Sequence, residues 1–242
     1  MNKLLINIFL VFLMAVNISF AKIVTDDPIE QAAIEALLKD AKLGWNEIKL
    51  TKNLIVEGRR NGILLVHRKG RDKRWKITNI SDKRIYFDIK GNVIAINLNN
   101  TKFKNLSLIN SFKSLIHFSC KCRSLKEFKK IEGLVSLEGL DFHLSKITKI
   151  GVLKNLPKLI LLDLERTYIS KIENLDGIPS LKFLMLKGTD IRKLEGLDSL
   201  INLEVLSLDA SNDSDRKIIK IENIGNLENL KNWKLDFIKL KS

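Results

Sequence analysis

The chain has 242 residues, 45% hydrophobic and 29% charged, with a formal net charge of +14 at pH 7. That length and apolar content suffice for one sizeable core or two small ones and exclude a disordered chain. The positive balance predicts attraction to anionic surfaces such as phospholipid, lipopolysaccharide, sulfated glycan or nucleic acid; the plain alternative is a solvated, Lys-rich surface.

Residues 1–21, MNKLLINIFLVFLMAVNISFA, place a single Lys ahead of an apolar run from Leu4 to Val16 and end on Ser19-Phe20-Ala21. The run is short for a membrane span and small residues follow it, so a secretory signal peptide cleaved after Ala21 is expected rather than an anchor helix. The expected location is exported from a bacterial-type cell: periplasm, outer surface or extracellular medium. Export permits a disulfide, but Cys120 and Cys122 are separated by one residue in a segment expected to be extended, so free thiols are expected.

Asp27 to Leu43 reads as a helix, with Asp27 as N-cap, Pro28 in the first turn, Ile29, Ala33, Leu37 and Leu38 at helical spacing, and Gly44 as terminator. Trp45 is expected to pack beneath it. The runs IKLTKNLIVEG, GILLVHR, WKITNI and RIYFDI then alternate as strands do, with Asn61-Gly62 and Gly91-Asn92 as turns. Residues 22–92 are therefore expected to form a capping region, a helix followed by short strands. Within it RKGRDKRWK sets Arg68, Lys69, Arg71, Lys73, Arg74 and Lys76 around Trp75. This is a candidate contact for phosphate or sulfate groups on an anionic glycan or lipid surface, or else a solvated hairpin loop. No nucleic-acid-binding motif accompanies it, and no nucleic-acid partner is expected.

From Val93 the chain repeats. Segments starting at Val93, Leu115, Leu137, Leu159, Leu181 and Leu203 each begin 22 residues after the last, and in the first five units positions 1, 4, 6, 11 and 14 are apolar. The fourth unit is LILLDLERTYISKIENLDGIPS and the fifth LKFLMLKGTDIRKLEGLDSLIN, giving the frame L-x-x-L-x-L-x-x-T-x-I-x-K-[IL]-E-x-L-x-x-[IL]. This frame resembles the leucine-rich repeat in its short 22-residue, internalin-like class. The resemblance implies an α/β repeat solenoid, a curved parallel sheet of about seven units over residues 93–242, led by an N-terminal helix and small β cap. Positions 4 and 6 then point inward and positions 3, 5 and 7 outward onto the concave face. Where the family carries Asn at position 9, this chain has Thr101, Arg123, Ser145, Thr167, Thr189 and Ser211. Arg123 cannot take that inward place, so distortion is expected in the second unit, which also has Cys120 at position 6.

After Leu208 five surplus residues fall in the polar stretch DASNDSDRK, and the last strand is expected over Leu230 to Leu235, with Trp233 in place of the usual Leu. Asp209, Asn212, Asp213 and Asp215 read as a polar turn, because they lack the Gly and final Glu of a calcium loop. The last strand leaves an edge that a second copy could cover, giving a homodimer.

The outward columns define the candidate site. Position 3 carries Ala95, His117, Gly139, Leu161, Phe183 and Val205; position 5 carries Asn97, Ser119, Asp141, Asp163, Met185 and Ser207; position 7 carries Asn99, Lys121, His143, Glu165, Lys187 and Asp209. Leu161, Phe183, Met185 and Val205 converge as an apolar patch beside Asp141, Asp163 and Glu165, with His143, Lys187 and Asp209 bordering it. Such a surface suits a protein partner presenting an apolar residue flanked by Lys or Arg. Behind the strands Lys104, Lys126, Lys149, Lys171, Arg192 and Lys193 are expected to form a cationic row. His117, Lys121, Cys122, His143 and Glu165 also fall on neighbouring strands. No oxyanion donors, cleft or catalytic motif accompanies them, so no enzyme activity, cofactor or metal is expected.

Overall fold

The computed structural model describes residues 27–43, 49–51, 59–60, 63–64, 84–87, 92–208, 220–221, 226–230 and 232–234. The expected signal peptide, Gly44, Trp45, the basic loop from Arg68 to Lys76 and the polar stretch containing Asp209 lie outside these residues.

Helix α1 spans Pro28–Ala41, and Asp27 caps it by accepting from the backbone N–H of Ile29 (2.8 Å) and Glu30 (3.4 Å). The helix ends at Lys42, which takes the left-handed conformation at φ 56°, two residues before the expected Gly44 terminator. Its buried face is Glu30, Ala33, Ile34, Leu37, Leu38 and Ala41. Ile29, expected on that face, is exposed, because the i, i+3, i+4 stripe that meets the core starts at Glu30.

Two carboxylates fasten α1 to the first repeat. Buried Glu30 accepts from Val93 N at 3.0 Å, and Asp40 Oδ2 accepts from Lys104 N and Asn105 N, both at 2.8 Å. Acceptors on the helix thus satisfy backbone donors on the first unit.

The strands are short. Before the repeats come β1 (Lys49–Thr51), β2 (Arg59–Arg60), β3 (Ile63–Leu64) and β4 (Arg84–Phe87). The concave sheet continues through β5 (Val93–Asn97), β6 (His117–Ser119), β8 (Gly139–Asp141), β10 (Leu161–Asp163), β11 (Phe183–Met185), β13 (Val205–Ser207) and β15 (Asn232–Lys234). The return path adds β7 (Lys130–Glu132), β9 (Val152–Lys154), β12 (Lys193–Leu194) and β14 (Lys220–Ile221), and β2 and β3 form an antiparallel hairpin on either side of Asn61-Gly62.

Among the described residues the main sheet has nine strands in the order β1-β4-β5-β6-β8-β10-β11-β13-β15. Only the β4–β5 pairing within it is antiparallel. From β5 to β13 every partner lies 22 residues away, as in Ala95↔His117↔Gly139↔Leu161↔Phe183↔Val205. The next step is 27, seen twice, in Val205↔Asn232 and Lys193↔Lys220. The five surplus residues therefore lie between Ser207 and Lys220, where the sequence puts them.

Position by position, the inward columns fill the core. Position 4 carries Ile96, Phe118, Leu140, Leu162, Leu184 and Leu206, and position 11 carries Phe103, Leu125, Ile147, Ile169 and Ile191, all buried. A run of rings, Phe103–Phe118–Phe142–Phe128, links the first three units with centroids 5.6 to 6.1 Å apart. No unit closes this core alone, which makes the array fold through its unit-to-unit contacts.

The turn after each strand corrects the cysteine expectation. In four units position 8 adopts a left-handed conformation, at Asn100, Leu144, Arg166 and Gly188, and position 9 turns its hydroxyl inward. Thr167 and Thr189 then donate to the carbonyls of Leu164 and Leu186 at 2.7 Å. The second unit departs: Arg123 is exposed, and Cys122 at position 8 turns inward and is fully buried. Its Sγ sits 3.6 Å from Thr101 Oγ1 and is bonded to Cys120 in a disulfide. Free thiols are expected for a fully extended segment, but here the chain bends between the two residues, bringing their Cα atoms to 5.1 Å, inside the range a disulfide bridges.

Candidate functional site

The outward columns do line one face, but close strand spacing buries much of them. Strands about 4.8 Å apart stack equivalent side chains against each other. Leu161, Phe183 and Val205 form a half-buried apolar row across β10, β11 and β13, whereas Met185, expected to be exposed beside them, is buried. Lys187 and Asp141 are half-buried.

The acidic residues have structural duties that the columns alone do not reveal. At position 5, Asn97, Asp141 and Asp163 each curl forward to accept from the backbone N–H of position 7: Asn99 at 2.9 Å, His143 at 3.0 Å and Glu165 at 3.0 Å. Side chains of this type bond the backbone two residues on wherever a strand ends in a turn. Asn99 Oδ1 in turn accepts from Lys121 N at 2.7 Å, and the Ser119 hydroxyl lies 3.1 Å from Asn99 Oδ1 and 3.0 Å from Asp141 Oδ2.

One step along the face, His143 from the third unit meets Asp163 and Glu165 from the fourth. All three are buried, and one donor atom from each lies within 4.8 Å of the other two. His143 Nδ1 stands 3.6 Å from Glu165 Oε2 and makes no hydrogen bond.

The second buried imidazole, His117, lies over Gly139, whose missing side chain leaves room for the ring. Burial lowers the pKa of His117 to about 4 against an upward pull from Asp141, so the ring is neutral at pH 7. The five residues weighed as a Cys-His site do not assemble: Cys122 is disulfide-bonded and points into the core.

Behind the strands, Lys104, Lys126, Lys149, Lys171, Arg192 and Lys193 are all exposed on the return path. No helix among the described residues is long and apolar enough to cross a membrane.

No protein-family model matches the chain, and no curated protein matches it. Solved structures do. The functional domain of InlJ from Listeria monocytogenes, described as including a cysteine ladder, is 16% identical with a TM-score of 0.44; the match covers 57% of this chain and 29% of that one. The internalin InlF from Listeria monocytogenes is 15% identical with a TM-score of 0.27, covering 61% of this chain and 64% of that one. The chain thus spans less than two thirds of either. Its own strand register and buried columns make it a parallel-sheet repeat solenoid with an N-terminal helix.

Proposed function

We propose that this chain is an exported, non-catalytic binding protein of the short internalin-like repeat class, and that it recognises a protein segment across its concave face. The observation that carries this reading is the row Leu161, Phe183 and Val205, directly paired on adjacent strands and left half-buried on the outer side of the sheet. Its neighbours Asp141 and Lys187 supply charge of both signs at the rim. A partner side chain that is apolar and flanked by Lys fits this arrangement, with Phe183 as the anchor. Residues 22–92 act in this reading as the cap of the solenoid, fastened through Glu30 and Asp40.

A photo-crosslinking residue at Phe183, used in intact cells that are then fractionated into periplasm, surface and medium, identifies both partner and location. With the partner purified, Phe183→Ala and Leu161→Ser should each weaken binding by about tenfold or more at unchanged melting temperature, a loss of about 1.4 kcal/mol. Unchanged affinity in both variants would remove the concave face as the site.

The exposed cationic row supports a second reading, adhesion to an anionic glycan or lipid. Binding of that kind weakens steeply between low and high salt, while capture by the apolar row does not. Self-association through β15, the last strand of the described sheet, is a third reading, and concentration-dependent sedimentation tests it.

A further inference from the structure

His143, Asp163 and Glu165 lie outside any short metal-binding motif, since His143 is 20 and 22 residues from the two acids. The repeat brings them together. Position 7 of the third unit and positions 5 and 7 of the fourth share one corner of the concave face, and the backbone there is held by Asp141 on His143 N and by Asp163 on Glu165 N.

The spacing at this corner suits a shared cation better than a direct bond. His143 Nδ1 and Glu165 Oε2 are 3.6 Å apart, beyond the 2.7–3.2 Å or so of an N–H···O hydrogen bond. Two donors placed about 2.0–2.2 Å from a tetrahedral zinc ion are separated by roughly 3.4 Å. His143 is 6% exposed, and its Nδ1 makes no hydrogen bond although the buried Glu165 carboxylate lies 3.6 Å away. A buried imidazole nitrogen in that state costs free energy unless something completes it.

We propose that His143, Asp163 and Glu165 bind one divalent transition-metal ion, zinc by the chemistry of the donors, on the concave face. An imidazole with two carboxylates selects zinc over magnesium or calcium, which take all-oxygen sets. Two carboxylates offset the charge of the dication, and three protein donors leave a fourth tetrahedral position for water or an incoming ligand. The site does not depend on the concave face having a protein partner.

The test uses the full, untagged chain stripped of metal and titrated with zinc chloride by calorimetry, and with cobalt(II) by visible absorption. One ion per chain is expected, with magnesium and calcium failing to compete. His143→Gln and Glu165→Gln should each weaken zinc binding by at least about tenfold, while His67→Gln and His117→Gln leave it unchanged. No binding, or binding that survives His143→Gln, overturns the proposal and leaves a simple buried His–Glu pair. Should a variant fail to fold, the wild-type chain decides through its histidine ring resonances. Zinc must shift those of His143 and spare those of His117; a shift confined to His67 refutes the site.

Discussion

His117 lies across the face of Gly139, and a Cβ built on Gly139 would stand 2.6 Å from the ring's Nδ1. Gly139→Ala is therefore expected to cost about 1–3 kcal/mol, the usual range for overpacking. Most of that cost should vanish when His117 is also alanine, which a double-mutant cycle of denaturant midpoints measures. Gly177 is the contrast. A Cβ there would meet the Leu153 carbonyl oxygen, which is backbone, so truncating neighbouring side chains should not rescue Gly177→Ala.

Acid should destabilise the fold through the same histidine. An unfolded His binds its proton near pH 6.5, whereas buried His117 resists protonation down to about pH 4. Between those values the unfolded chain holds the extra proton, so stability is complete above about pH 6.5 and falls as the pH drops toward 4. The loss attributable to His117 is on the order of 3 kcal/mol. Denaturation series from pH 7.5 to 4.5 should show a shallower decline in His117→Gln; parallel declines would mean that His117 is not buried as described.

Leu144 occupies a left-handed conformation at φ 62° and is exposed, at the position where the first unit has Asn100 at φ 59°. A branched apolar residue is strained there and Asn is tolerated. Leu144→Asn should raise the stability by about 0.5–1 kcal/mol, readable as a rise in melting temperature. A fall would show that the Leu144 side chain makes a contact worth more than the strain.

The sulfurs of Cys120 and Cys122 are paired and fully buried. A maleimide should label neither residue in the native chain nor in denaturant alone, and both after denaturation with reductant. Because the bridge closes so short a loop, its loss should cost about 2 kcal/mol or less on the chain-entropy relation. Labelling in denaturant without reductant would mean that the thiols are free.

Asp40 and Glu30 make a further test possible. Asp40→Ala leaves two backbone donors of the first repeat without their carboxylate, and Glu30→Ala leaves a buried one. Amide hydrogen exchange should rise at Val93, Lys104 and Asn105 while the units around Leu184 stay protected. Uniform loss of protection would indicate that the cap and the repeats unfold as a single unit.

The 22-residue spacing of Leu and Ile made the solenoid legible in the sequence, because a strand that alternates inward and outward at fixed intervals has few other ways to bury its columns. The same columns put His143, Asp163 and Glu165 on one face. What the columns could not show was burial: Met185 and Asp163 lie in outward columns yet are buried. Nor could they show that Asp141 and Asp163 bend back onto the main chain, which depends on where each strand ends. The cysteine pair escaped for a related reason. Its geometry is set by a bend at a turn where the second unit lacks the left-handed residue of the four described around it, and residue types alone do not report that bend.

The constant offset between strand partners also governs how this molecule can change in length. Excising residues 159–180 would join Lys158 to Leu181, present Phe183 to Gly139, and leave each inward column unbroken. Removing one residue more or fewer would turn the side chains of the strand at the junction to the opposite side. Size is therefore inherited in whole steps of one unit, and any other insertion has to fall between paired strands, as the five extra residues between Ser207 and Lys220 do.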